Sequence, residues 1–367
     1  MEKGKISALQ MAIIMNPTIV ATAVLLVPAI SVKHAKQDLW ISPVWAAMVG
    51  CIVVLIAYKL NKLYPNESIV EYSNHIIGQF FGKIAGFIYV IFYFHINGII
   101  IREYGEFVVG TFLPHTPMYV VLGSMVLVCA SAVYGGVEVI SRASQIMVPV
   151  VFLLFLLIAV MLLKDLEIKN IFPVMEDGIK PSFMGSIVPQ GWFSEFFLIA
   201  FLLPFLKDRQ KGLKWGMISV ASALILLVLA NVVVYMLFGE LTGVFTYPLM
   251  VAVRYISIAD FLEHLEAIVM AIWVTGTFIK IAVFYYVNVI STAQWLNLSD
   301  YRPIVLPIGI ILLSFSFWSA HNLQEMSHFL STIAPFYFLT LQLVFPLFLL
   351  CIACIQERIQ QKRGKTK

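Results

Sequence analysis

Ten runs of apolar residues, each close to the length that crosses a lipid bilayer, divide this chain. They cover 7–31, 42–63, 84–112, 117–137, 145–163, 184–206, 213–238, 263–293, 303–319 and 330–356. A hydrocarbon core needs about 20 apolar residues of helix. Inside lipid a helix satisfies its own backbone donors and acceptors, which irregular chain cannot do. The runs therefore predict an all-α polytopic membrane protein with ten transmembrane helices. Composition agrees: 61% of the 367 residues are hydrophobic and 12% are charged, against about 45–50% and about 25% in soluble domains. A disordered chain, a collagen-like chain and an ordinary water-soluble enzyme are excluded. The first run is longer than the roughly 7–15-residue core of a signal peptide, so it is read as a retained first span.

The basic residues set an orientation. Of 24 lysines and arginines, sixteen fall on the side of the N-terminus, seven on the other, and Lys280 lies inside a span. The positive-inside rule then places both termini in the cytoplasm, with 357–367 as a basic cytoplasmic tail. The net charge of +4 is too small and too scattered to suggest nucleic acid. Cys351 and Cys354 form a C-x-x-C, but its flanks are apolar and no second pair completes a metal or redox site. No metal-ligand spacing, nucleophile elbow or phosphate-cradling loop occurs. Neither a cofactor nor an enzymatic activity is expected. The loops are short, so residues 1–367 are expected to form one transmembrane permease-like domain. The segments 164–183 and 239–262 are the longest outer ones, and Val251 to Glu266 reads as amphipathic.

Ten spans divide into five and five, 7–163 and 184–356. An odd number per half reverses the second half, the geometry of an inverted repeat. Both first spans carry helix-breaking sequence: Asn16-Pro17-Thr18 then Ala21-Thr22-Ala23 in span one, Pro189-Gln190-Gly191 then Ser194-Glu195 in span six. Proline removes a backbone donor and crowds the preceding turn. Breaks at corresponding places in two halves point to a binding site near the bilayer midplane.

Ionisable residues inside the membrane cost about 2.5–3.5 kcal/mol at the helix centre on insertion scales, so they face protein or water. Glu195 follows the expected break in span six, as a proton acceptor or as a tie for the broken backbone. Lys280 shares one face of span eight with Trp273, Gly276 and Thr277. It could stand in for a cation, take part in proton coupling or form a structural ion pair. Span three carries His95, Arg102 and Glu106 on one face with Glu103 adjacent. Arg102 and Glu106 are spaced for an i, i+4 pair, and the stripe suits an outer gate or a water-lined path.

Three stretches carry a family resemblance. They are Gly135-Gly136-Val137-Glu138-Val139-Ile140-Ser141-Arg142; Phe193-Ser194-Glu195 through Leu203-Pro204-Phe205; and Arg254 through Asp260-Phe261-Leu262-Glu263 to Trp273 and Phe278-Ile279-Lys280. With them the chain resembles the spore germination permease family, the B-subunits of nutrient germinant receptors, within the amino acid–polyamine–organocation superfamily. The resemblance implies a LeuT-like five-plus-five fold with helices one and six broken. It implies a ligand site at those breaks, made here by Thr18, Ala21, Thr22, Ala23, Gln190, Gly191, Trp192, Phe193 and Ser194. Coupling or gating would fall to Glu195, Lys280, Thr277, His95, Arg102 and Glu106. Amino acid carriers of this superfamily grip the ligand carboxylate with amides of a Gly-x-Gly break. Here the matching positions are Ala21-Thr22-Ala23, and alanine adopts such backbone less readily than glycine.

Lys280 lies near the place where sodium-coupled relatives hold a cation, which argues against sodium dependence. The implied function is nutrient sensing: a small nutrient, expected to be an amino acid, signals germination through A-type and C-type partner subunits in the inner spore membrane. A proton-coupled amino acid transporter in the cell membrane is the alternative.

Overall fold

The computed structural model describes residue 2, residues 4–254, residue 256 and residues 266–364. The Asp260-Phe261-Leu262-Glu263 stretch, most of the amphipathic segment and the last residues of the basic tail lie outside these. Among the described residues, fifteen α-helices follow in chain order: α1 (Ala8–Ala35), α2 (Ser42–Leu63), α3 (Ile69–Ile77), α4 (Gln79–Thr111), α5 (Met118–Tyr134), α6 (Val137–Leu162), α7 (Lys180–Ser194), α8 (Ile199–Leu202), α9 (Gly212–Phe238), α10 (Pro248–Arg254), α11 (Glu266–Trp295), α12 (Val305–Trp318), α13 (Leu323–Thr332), α14 (Ala334–Leu339) and α15 (Phe345–Gly364). The one extended pairing among the described residues is a parallel bridge between Ile6 and Leu206.

Burial separates a centre from a rim. In the apolar window of the span built on α7, 89% of residues are buried, and 72% in α4, against 11% in α6. Thus α7 and α4 pack on most sides, with α1 against α7, α9 and α11, and α4 against α11 and α12. The outer surface of α6 is left for lipid, where no water competes for its leucines and valines. Close helix approach has a local cause. A Cβ on Gly185 of α7 would sit 2.6 Å from the Ala35 Cβ, so glycine lets α7 meet the end of α1.

The two ends of the bundle are tied by different segments. At one end the chain before α1 runs across the loops that follow α5, α8 and α11. Glu2 Oε2 accepts from the Val137 amide at 3.1 Å and the Tyr301 hydroxyl at 3.3 Å. The Ile6 amide donates to the Phe205 carbonyl at 3.0 Å, and Asp208 accepts from the Ala8 amide at 2.7 Å. Gly136 sits at φ +85°, where a side chain would be strained and would meet Glu2. At the other end, Asp38 accepts from the Met175 amide at 2.8 Å, and the Glu167 amide donates to the Met236 carbonyl at 3.2 Å. Alternate loops gather at opposite ends, as successive crossings require.

Several expectations change. Span one is not interrupted: α1 is continuous from Ala8 to Ala35 with Pro17 and Pro28 inside it. Alanine, the strongest helix former, holds positions 21 and 23, and the Thr18 hydroxyl donates to the Ile14 carbonyl at 2.8 Å beside the proline. In span six the helix continues past Pro189-Gln190-Gly191 and tightens to a 3-10 turn only at Glu195–Leu198. There the Glu195 amide reaches the Trp192 carbonyl three residues back. Among the described residues, seven helical stretches are long and apolar enough to cross a membrane, with α1 and α2 counted as one stretch. The helix Arg302–Trp318 and α13 pass that test only as a pair bent by 91°, and α5 falls short of it in length. Each of the ten runs contains a helix, but ten crossings remain a count taken from the sequence. Span ten changes winding at a π-helical turn, Thr340–Val344.

Candidate functional site

Three helices that are distant in sequence bring a charged network to the middle of the bundle. Lys280 of α11 places its ammonium 2.8 Å from Glu195 Oε2, just past the end of α7, and 2.9 Å from Thr22 Oγ1 of α1. The Trp192 indole N–H donates to the same Thr22 oxygen at 2.9 Å. Trp192 and Glu195 are three residues apart and so share a helix face. The Lys280 and Glu195 side chains are 1% and 2% exposed. A charge taken out of water needs a close partner with its remaining hydrogen bonds met, and here each charge finds one on another element. The Phe284 ring lies 5.6 Å from the ammonium, one turn along α11.

The network walls a small polar cavity. Its lining is Thr22, Trp192, Glu195 and Lys280, with Ile96, Ile99, Ile100 and Glu103 from α4, Leu330 from α13 and Phe338 from α14. The four α4 positions follow the i, i+3, i+4, i+7 rule and form one stripe. The space open to the centre of a water molecule is about 10 Å³, room for about one water. Anything the size of an amino acid requires the walls to part, so this is a closed form. A larger apolar groove, about 70 Å³ by the same measure, lies between α1, α6, α9 and α11, with Ala21, Trp273 and Gly276 on its wall. Ligand sites need a few convergent polar groups for orientation. The groove has almost none, so the polar cavity is the better candidate.

The expected ligand residues separate accordingly. Thr22 and Trp192 line the cavity. Thr18 bonds within its own helix, and Ala21 faces Gly276. Ala23 is buried in the core. Gln190 Nε2 donates to Ser186 Oγ at 2.9 Å, and Ser194 Oγ donates to the Gly191 carbonyl at 2.6 Å. Gly191 lies against Pro335, and Phe193 packs toward Gly50 of α2. Neither Thr18, Ala21 and Ala23 nor these four residues of α7 reach the cavity, because α1 and α7 stay helical and turn them away. Thr277 is fully buried, and its hydroxyl has no partner among the described residues.

The span-three stripe is a separate feature. Arg102 holds Glu106 Oε1 at 2.6 Å as spaced, and also donates to the His321 carbonyl at 2.8 Å. His95 meets the rings of Trp318 and Phe329 edge-on and that of Tyr337 at a tilt. All three face the corner between α12 and α13 rather than the cavity.

Glu103 is the functional candidate that residue spacing leaves as a bystander. It is 2% exposed, lines the cavity, and its Oε1 has no hydrogen-bond partner among the described residues. Its place one helical turn past the Ile99-Ile100 pair is the available signal.

Helices packed around a buried polar centre recur in two solved structures. A sodium-coupled sialic acid symporter, solved substrate-bound and outward-open, superposes with a TM-score of 0.65 at 13% identity, covering 93% of this chain and 80% of that one. Mhp1, a nucleobase-cation-symport-1 family transporter solved closed with bromovinylhydantoin bound, gives 0.58 at 13% identity, covering 89% and 75%. The fold is thus LeuT-like.

The family described as spore germination protein matches residues 5–324, and the chain belongs to it. Spore germination protein KB of Bacillus subtilis (strain 168) is 27% identical over 370 residues, covering 99% of this chain and 98% of that protein. Spore germination protein XB of Bacillus anthracis is 25% identical over 341 residues, covering 91% and 95%.

Proposed function

We propose that this protein is the ligand-sensing membrane subunit of a nutrient germinant receptor. A small nutrient, an amino acid in the simplest case, enters the cavity between α1, α4, α7 and α11 and stabilises an opened arrangement. The change passes to A-type and C-type partner subunits in the inner spore membrane, with both termini of this chain in the cytoplasm. The observation that carries the reading is the Lys280–Glu195–Thr22–Trp192 network. It joins three helices at the polar cavity and can persist only while those helices keep their spacing. A ligand shifts such an equilibrium only by binding one arrangement better than the other. A cavity with room for about one water favours the opened one by exclusion. Because α1 is unbroken, its amides around Thr22 are committed to the helix. Side chains, not backbone amides, would hold the ligand.

The test is deletion in the source organism, with germination scored against single nutrients and uptake measured in parallel. Germination lost to one nutrient with normal uptake supports the reading and names the ligand. Normal germination with lost uptake overturns it in favour of a proton-coupled amino acid transporter. That second reading is favoured by one specific observation: a second buried carboxyl, Glu103, shares the cavity with the Lys280–Glu195 pair.

A further inference from the structure

The cavity contains three ionisable groups: Lys280, Glu195 and Glu103. Two of the three ammonium donors are taken, by Glu195 at 2.8 Å and Thr22 at 2.9 Å, and its charge is matched by Glu195. Trp192 uses its only side-chain donor on the same threonine. That leaves Glu103, with Oε1 unpartnered among the described residues and no second cation on the cavity wall. The rest of the lining is aliphatic or aromatic: Ile96, Ile99, Ile100, Leu330 and Phe338. A buried acceptor without a donor is costly, and the cost is relieved by a bound group that brings N–H donors and positive charge. A metal cation fits poorly, since hard cations such as Ca²⁺ and Mg²⁺ collect about six or more oxygens. Here two carboxyl groups and one hydroxyl stand among hydrocarbon walls.

We infer that Glu103 is the anchor for an ammonium group, and that the cavity selects small aliphatic compounds bearing a primary amine, whose hydrocarbon part lies against Ile99, Ile100 and Phe338. This rests on the proposed site and narrows what enters it. A ligand carboxylate, where present, is secondary, because the Lys280 charge is already matched by Glu195 and a second carboxyl, Glu103, shares the cavity. Glu103 would then add discrimination between a charged amine and its uncharged counterpart, the kind of selection that a buried, otherwise unpaired polar group makes strong.

The experiment uses the full chain in lipid nanodiscs and three probes of matched carbon count: propylamine, 1-propanol and propionate. Binding is read by calorimetry and by Trp192 fluorescence against a Trp192→Phe control. The expectation is that propylamine binds at least about tenfold more tightly than either other probe, the lower end of what a hydrogen bond to a charged group confers. Glu103→Gln should abolish that preference and Glu103→Asp retain part of it, with helical content and dispersity unchanged. Equal binding of 1-propanol, binding of none of the three, or an undiminished preference in Glu103→Gln overturns the inference. So does sodium chloride displacing propylamine at matched concentration, which would make the site one for a metal cation. If Glu103→Gln does not fold, the wild-type ranking together with Glu103→Asp decides. The site itself is tested separately with the nutrient named by the deletion. If the cavity-filling Ile100→Trp leaves that nutrient's binding unchanged, the site reading fails. If Ile100→Trp blocks it while the amine preference is absent, only the Glu103 assignment fails.

Discussion

Two ion pairs of this protein, one fully buried and one partly, are built in opposite ways. Arg102 and Glu106 lie one turn apart on α4, so their contact survives any movement of α4 as a body. Their side chains are 8% and 15% exposed, and the guanidinium also reaches the His321 carbonyl and the Phe317 ring. Lys280 and Glu195 come from segments 85 residues apart and meet only because α11 and the end of α7 are held together. Thr22 of α1 completes the contact. A local pair fixes a helix to its neighbour's corner whatever the rest of the bundle does. A pair spanning three elements registers whether those elements are together. The proposed sensing role makes the first pair scaffold and the second a report on the state of the cavity.

The largest effect should come from removing one member of the long-range pair. Lys280→Met leaves Glu195 buried without its cation, and breaking such a pair costs about 3–5 kcal/mol. Thermal unfolding in nanodiscs should show a strongly lowered midpoint, and Lys280→Met combined with Glu195→Leu should recover much of it. Lack of recovery would mean that the two charges do not depend on each other. Next in size is Thr22→Val, which removes a hydrogen-bond partner from both Lys280 and Trp192 but leaves the ion pair. About 1–3 kcal/mol is expected, together with an altered Trp192 emission.

Smaller is Glu106→Gln. The neutral side chain can still accept from Arg102, so a loss of about 1 kcal/mol is expected. Nutrient selectivity should not change, as read from germination half-times across the nutrient panel. A changed selectivity would mean that the α4 stripe is part of the ligand path and would erase the contrast. Smallest is Arg142→Gln at the bundle's rim. Its bond to Glu138 at 3.3 Å is largely exposed, and exposed pairs are worth about 0–1 kcal/mol. No measurable change is expected.

The sequence makes each member of the long-range pair legible and leaves hidden that the two meet. Lys280 and Glu195 stand out because a charge inside an apolar run needs a reason, and pairing is the commonest one. Thr22 stands out for a reason that the structure does not sustain. It is expected in an unwound segment, yet it contributes through its side chain from an intact helix. Proline in a span signals a missing donor, here the one the Ile13 carbonyl would receive from position 17, yet α1 runs on through Pro17. Glu103 escapes sequence reasoning because α4 is buried on nearly every side around it, from Ile96 to Val108. A helix enclosed all round has no apolar stripe to tell which face carries function. Spacing alone points to the Arg102–Glu106 pair and leaves Glu103 beside it. The corner between α12 and α13 is likewise hidden, although Asn322 caps α13 by accepting from the Glu325 amide at 2.8 Å, a pattern that marks a helix start. The polytopic, all-helical class is more legible, since it follows directly from the length and spacing of the apolar runs.

The most direct test of the central claim is the germination response of spores that carry Ile100→Trp in place of the wild-type chain, scored on the nutrient that the deletion strain fails to sense. The indole fills the cavity from the α4 wall without replacing an ionisable group. With the variant present in the membrane at the wild-type level, the account predicts that the response to that nutrient is lost while responses through other receptors persist. A full response to that nutrient would contradict it and move the ligand site away from the Lys280–Glu195 network.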